Sequence, residues 1–124
     1  MKKRYNCPAE MTLDLIAGKW KVIIFYLLRK GPQRSGKLKT SLPGISATAF
    51  SKAVRELEAD GLLRRISRGE YPVEVSYVLS ARGETLLPLV KSLIRWGLEH
   101  QGEYVSGEFA MVRNRSAPVP RAYQ

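Results

Sequence analysis

The sequence predicts an α+β, mostly helical domain, and three observations carry the prediction. Apolar residues recur at helical spacing in several stretches, at 11–16, 20–28, 50–57 and 86–97. Between the last two stretches the period switches to two, which marks strands. Gly31-Pro32, Pro43-Gly44 and Gly61 punctuate the joints, so the elements are short and closely connected. A chain of 124 residues is long enough to bury one core.

Residues 1–6 read as a flexible basic arm. Pro8 suits the first position of a helix, which makes Cys7 its N-cap, and Met11, Leu15 and Ile16 follow before Gly18. Lys19 to Lys30 is a strong helix: Trp20, Ile23, Ile24, Leu27 and Leu28 trace i, i+3, i+4, i+7 and i+8. Arg34 to Leu42 predicts a short third helix with Leu38 and Leu42 inward and Lys37 and Lys39 outward. Gly36 weakens it by about 1 kcal/mol relative to Ala.

Pro43-Gly44 then turns the chain, and Ser46 stands where an N-cap belongs, opening a helix over 46–60 that Gly61 stops. Phe50, Val54 and Leu57 fall on its inner face. Thr48, Ser51, Lys52 and Arg55 form a polar stripe on the other. The tight turn before it makes a helix-turn-helix pair. Two strands follow, 63–67 and 74–79, as a hairpin over 63–79 with Arg64, Arg65 and Arg68 in or beside it, which reads as a wing. Ser80 caps a long helix over 81–106 in which Pro88 is expected to produce a kink. Its apolar stripe is broader than a small domain covers alone, and pairing with a second copy would bury it. Residues 108–124 read as a disordered tail. The predicted unit is therefore a winged helix-turn-helix domain over 7–107 with N- and C-terminal dimerisation helices.

Net charge is +10, which favours a polyanionic partner. The charge is uneven: residues 29–68 carry ten Lys and Arg against three acids, while 98–110 carry three Glu and no Lys or Arg. Positive charge is thus gathered around the candidate reader helix. An ordinary amphipathic helix with a solvated polar side shows the same stripe, and it is this surrounding charge that separates the two readings. One Cys and one His leave no metal framework or intrachain disulfide, and no cofactor is expected. No paired-carboxylate cleft, nucleophile–base constellation or Gly-rich phosphate loop points to an enzyme. No membrane-length apolar run or secretory segment is evident, so the expected compartment is the cytoplasm, with no membrane partner.

Several anchors coincide in order and spacing: Cys7-Pro8, Gly18-Lys19-Trp20-Lys21, Gly31-Pro32, Leu42-Pro43-Gly44-Ile45-Ser46, the run Arg55 to Leu62, Val75-Ser76-Tyr77 and Trp96-Gly97. Over about residues 7–100 the chain resembles the HxlR family of bacterial winged helix-turn-helix transcription regulators. The resemblance implies a homodimer built on the end helices that binds an inverted-repeat operator in double-stranded DNA. It also implies, for some members, sensing of oxidants or electrophiles at the cysteine matching Cys7. The chain departs from the family pattern at Ser35, where an aromatic is usual. It departs again at Val73, beside a single wing proline, and at the small residues Ala47, Thr48, Ala49 and Ala53 of the reader helix.

On this reading Thr48, Ser51 and Lys52 approach base edges, Ala47 meets a thymine methyl, and Arg55 takes a phosphate or a guanine. Ser46, Lys19, Arg34, Lys37 and Lys39 join the DNA-facing set. With Arg64, Arg65 and Arg68 the cations supply the salt-dependent, sequence-blind part. Leu15, Leu86, Leu89, Val90, Leu93, Ile94, Trp96 and Gly97 are assigned to the dimer interface, and a small-molecule effector between its helices is left unidentified. Two readings of Cys7 stand: a small residue packed beneath the dimer helices, or a sensor thiol beside Lys2, Lys3 and Arg4. An interaction module that binds RNA or an acidic protein through its basic face is the alternative function.

Overall fold

The computed structural model describes residues 2–107 and 109. The elements run α1 (Pro8–Leu15), α2 (Lys21–Leu27), β1 (Gln33–Arg34), α3 (Ser35–Thr40), α4 (Ala47–Ala59), β2 (Leu63–Arg68), β3 (Glu74–Leu79) and α5 (Ala81–Tyr104). The expected tail at 108–124 lies outside the described residues, Phe109 apart.

One core joins these elements. Ile24, Phe25 and Leu28 from α2 and the turn after it, Leu38 from α3, Leu57 from α4 and Val90 from α5 are all sealed from solvent. Helix α2 is shorter than its periodicity predicts. It buries Phe25 and Tyr26 as well as Ile24, so it is apolar on most of its circumference. Arg34 is not helical, as the 34–42 prediction had it, but part of a two-residue strand. That strand pairs with β3, Gln33 opposite Tyr77 and Arg34 opposite Ser76. Two residues carry no periodicity, and only the partner strand defines them.

The sheet is antiparallel in the order β1-β3-β2, with Leu63 opposite Leu79 and Arg68 opposite Glu74. Ser80 closes the hairpin onto the last helix. Its hydroxyl accepts from the Gly83 amide at 3.0 Å and donates to the Gly61 carbonyl at 2.6 Å. Gly83 sits so close to the chain before β2 that a Cβ there would lie 2.3 Å from the Leu62 carbonyl oxygen. Only glycine lets α5 enter at that depth. The helix then runs unbroken to Tyr104 with Pro88 inside it.

The N-terminal segment, expected to be a flexible basic arm, makes contacts back onto α1 from Lys3, Tyr5 and Asn6. The Tyr5 hydroxyl donates to Asp14 at 2.6 Å, Lys3 reaches the same carboxylate at 3.2 Å, and the Asn6 amide donates to Glu10. The hydrogen bonds from Tyr5 and Lys3 hold the Asp14 carboxyl below its ordinary range.

Candidate nucleic-acid interface

Ser46 starts the reader helix as the sequence requires. Its backbone is extended and its hydroxyl accepts from the Ala49 amide at 3.0 Å, satisfying one of the free donors of the first turn. Phe50, Ala53, Val54 and Leu57 are buried. Four inward residues at i, i+3, i+4 and i+7 fix both the axis and the rotation of the helix. Ala53 belongs to this inner set, so it is not one of the small residues of the reading surface. Ala47, Thr48, Ser51, Lys52 and Arg55 are all exposed on the opposite side.

A second restraint acts at the end of that helix. Lys21 of α2, with 12% of its side chain exposed, places its Nζ 2.9 Å from Glu56. This hydrogen bond pulls the Glu56 carboxyl below its ordinary range. The pair ties α4 to α2, and among the described residues Lys52 and Arg55, one turn earlier and one residue earlier, make no salt bridge to a carboxylate. Sequence inspection missed it because the partners are far apart along the chain; a lysine inside an apolar helix face is the signal that points to it.

The ring of Tyr77 meets Phe50 edge-on, with centroids 6.3 Å apart, so the sheet face carrying Tyr77 is the one turned toward the reader helix. Side chains alternate along a strand. Arg65, opposite Tyr77 in register, therefore shares that face, and its guanidinium donates to Ser67 at 2.9 Å. Arg64 and Arg68 lie on the other face, together with Arg34, whose guanidinium is 3.0 Å from Glu74. The wing arginines are thus not one cluster: one sits on the reader side and two on the far side. Lys37 and Lys39 lie on α3. Lys19 precedes α2 with its ammonium 4.8 Å from the centre of the Trp20 ring.

The residues assigned to a dimer interface also divide. Val90 is wholly buried in the protomer's own core and cannot meet a second chain. Leu15, Leu86 and Ile94 are half-buried against the same core. What α5 leaves outside is a different stripe, Leu89, Leu93 and Trp96, with Trp96 55% exposed. Gly97 is half-buried beside it. The stripe continues as an aromatic column: His100 stacks on Trp96 at 4.1 Å and donates Nδ1–H to the Trp96 carbonyl, and Tyr104 follows at 6.2 Å. Cys7 is exposed on the protomer at the N-cap of α1.

Among the described residues no group of His, Cys, Asp and Glu could hold a metal ion, and no helix is long and apolar enough to cross a membrane. An open cleft of about 560 Å³ lies between α3 and β3, lined by Arg34, Ser35, Gly36, Lys37, Val73, Glu74 and Val75. Small residues at 35 and 36 leave this space beside the wing.

A helix-turn-helix backed by a small antiparallel sheet, with a rigid polar helix face surrounded by cations, defines the winged helix-turn-helix class. The model of the HxlR-like helix-turn-helix family matches residues 15–104. The chain belongs to that family and is a transcriptional regulator. It is 37% identical to the HTH-type transcriptional regulator YkvN of Bacillus subtilis over 112 residues, covering 90% of this chain and 95% of YkvN. Its fold is similar to that of the redox regulator HypR in its reduced form, at TM-score 0.74 and 38% identity, covering 77% of this chain and 94% of that one. It is likewise similar to the solved HTH-type regulator ytcD, at TM-score 0.72 and 37% identity, covering 78% and 99% of the two chains.

Proposed function

We propose that two copies of this chain, joined through α5 and α1, each lay α4 in the major groove at one half of an inverted-repeat operator. The observation that carries this reading is the division of α4 itself. Phe50, Ala53, Val54 and Leu57 are buried while Thr48, Ser51, Lys52 and Arg55 all face outward. Half-sites on one side of a duplex lie about 34 Å apart, one helical turn, which sets the spacing the dimer must match. Lys52 and Arg55 supply the base and phosphate contacts of greatest reach. Thr48 and Ser51 supply short donors and acceptors, and Ala47 an apolar contact to thymine. Arg65, on the reader side of the wing, and Lys37 and Lys39 on α3 add contacts to phosphate. Ser46 sets the start of the helix. The protein acts in this reading by binding, not by catalysis, in the cytoplasm.

Selection of bound duplexes from a random pool tests it. The wild type yields a two-fold symmetric site. Lys52→Ala relaxes preference at one position of each half-site, at a cost of roughly 1–3 kcal/mol for the lost discrimination. Recovery of no preferred sequence, with steep salt dependence on every duplex, overturns the reading.

Cys7 is the one cysteine of the sequence and is exposed at the start of α1. HypR has been solved in reduced and oxidised forms. On the same reading Cys7 responds to oxidants, and its oxidised form is a disulfide to a small thiol or to Cys7 of the second copy. Diamide then releases wild-type protein from its operator but not Cys7→Ser; equal release of both overturns the assignment.

A further inference from the structure

Between α3 and the start of β3 the protein keeps a space that neither its backbone nor its packing requires. The cleft measures about 560 Å³, within the range of small-molecule sites, and residues 34–37 and 73–75 line it. Gly36 is helical and outside the left-handed region where glycine is needed. A Cβ added to it would meet no atom within 4 Å outside its own helix. Alanine would fit at that position and strengthen the helix, so glycine there serves the space beside it. Ser35, next to it, is half-buried, and its hydroxyl bonds to no other described residue.

The walls of the cleft differ in character, and the difference specifies an occupant. Val73, 49% exposed, and Val75, half-buried, give the strand side an apolar surface. On the helix side stand Ser35, Gly36 and Lys37. Charge is not balanced. Arg34 is bridged to Glu74 at 3.0 Å, whereas Lys37 makes no salt bridge among the described residues. The bridged pair cancels, and one cation remains. The same bridge orients the Arg34 guanidinium at the rim, and a planar guanidinium stacks on aromatic rings.

We infer that this cleft is a binding site for a small aromatic monocarboxylate, with its ring against Val73, Val75 and the Arg34 guanidinium and its carboxylate on Lys37 and the Ser35 hydroxyl. A carboxylate accepts from both donors, and one negative charge matches the one cation left over. A dianion would turn a second charge toward Glu74, and an uncharged ring would leave Lys37 unmatched. The cleft is open on one side and covers only part of such a ligand, which sets the dissociation constant at about 1 mM.

The site is placed to act on DNA binding. Lys37 supplies a phosphate contact in the operator reading, and a carboxylate on its ammonium takes that contact away. This regulatory part rests on the operator reading; the binding of the ligand does not.

The test uses the full chain with benzoate as the probe, first without DNA. Backbone amide signals of residues 34–37 and 73–75 shift and saturate with benzoate. Acetate, which lacks the ring, and benzyl alcohol, which lacks the charge, give no saturating shift there at the same concentrations. Ser35→Phe fills the cleft with the protein's own ring and abolishes the benzoate response. Val73→Asp adds a second carboxylate to the wall at an exposed position and weakens benzoate about tenfold, which keeps the test intact where the larger ring disturbs the fold. No saturating shift with benzoate, or shifts elsewhere in the protein only, overturns the site. Equal responses to acetate and benzoate overturn the aromatic assignment. On the selected operator, saturating benzoate weakens wild-type binding about tenfold and lowers the salt slope by about one unit, as loss of one phosphate contact requires. It has no such effect on Ser35→Phe. Saturable benzoate binding without any change in operator affinity overturns the regulatory part. Failure of the wild type to select an operator overturns the reading of α4 and leaves the benzoate result standing.

Discussion

The reader helix α4 and the terminal helix α5 both begin with a serine cap and both bury a stripe in the same core, but their outer faces differ in kind. On the side opposite the core stripe, α4 shows the hydroxyls of Thr48 and Ser51 and the cations of Lys52 and Arg55. On α5 a second apolar line, Leu89, Leu93 and Trp96, runs along a face turned well away from Gly83, Leu87 and Val90. A helix with one apolar stripe is finished once its protomer folds. A helix with two has an unmet partner, since leaving large apolar side chains in water forgoes about 25 cal/mol per Å² of burial. In the proposed reading, the same core holds one helix out toward DNA and another toward a second copy of the chain.

Truncations on the two stripes separate these roles most strongly. Leu57→Ala empties a fully buried site, and chemical denaturation should report a loss of about 3 kcal/mol. Leu93→Ala, at a position 43% exposed, should leave a monomer's stability nearly unchanged. Leu93→Glu carries the contrast further. Two carboxylates are then forced into a symmetric contact, and the dimer dissociation constant measured by sedimentation rises about a hundredfold, equivalent to ~2.7 kcal/mol. If Leu93→Glu instead melts the protomer, the outer stripe is part of its core and the comparison fails.

The two caps give a smaller and sharper contrast. Ser46→Ala removes one acceptor at an exposed helix start, at a cost of about 1 kcal/mol. Ser80 is worth more because its hydroxyl works in both directions, holding the Gly83 amide and the Gly61 carbonyl at once. Ser80→Ala should cost about 2 kcal/mol, leaving a part-buried carbonyl without its donor. Ser80→Thr, which keeps the hydroxyl, should recover most of it. Thermal melts of the three variants rank them, and equal losses for Ser46→Ala and Ser80→Ala would remove the distinction.

These contrasts also mark what the sequence made readable. The reader helix was legible because a cap, an apolar period and a terminal glycine agree over adjacent residues, and the wing because alternation at 74–79 persists long enough to count. Ser46, Phe50, Val54 and Leu57 stand where local reasoning puts them. The misread features depend on contacts between distant segments. Strand β1 exists only because β3 lies beside it. The depth at which α5 enters is set by a glycine against the Leu62 carbonyl. Merging the two stripes of α5 into one put Val90 at an interface, since a helix rich in leucine on several sides does not say which side a neighbour takes. The split of the wing arginines follows from a strand register that composition does not contain.

The weakest effect bears on how rigidly α4 is presented. Lys21 is nearly enclosed while Glu56 remains partly in solvent, so the pair contributes at the modest level of exposed bridges, roughly 0.2–1 kcal/mol. Its pH dependence is distinctive even so. The Lys21 hydrogen bond lowers the Glu56 pKa in the folded protein, so below the ordinary carboxylate value of 4.5 the unfolded chain binds the proton first. Stability from this pair is therefore fully present above that value and fades as pH falls through the lower folded one. Lys21→Met keeps the apolar stem and removes the charge. Its melting temperature should sit slightly below wild type at neutral pH, and the gap should close in acid. Asp14 is lowered chiefly by its hydrogen bonds from Tyr5 and Lys3, which both proteins keep, and Lys21 is the last of its causes, so its contribution to the difference has the same sign and is the smaller one. A gap that stays constant into acid would mean that Lys21 acts through packing alone, with α4 held by its four buried residues and nothing more.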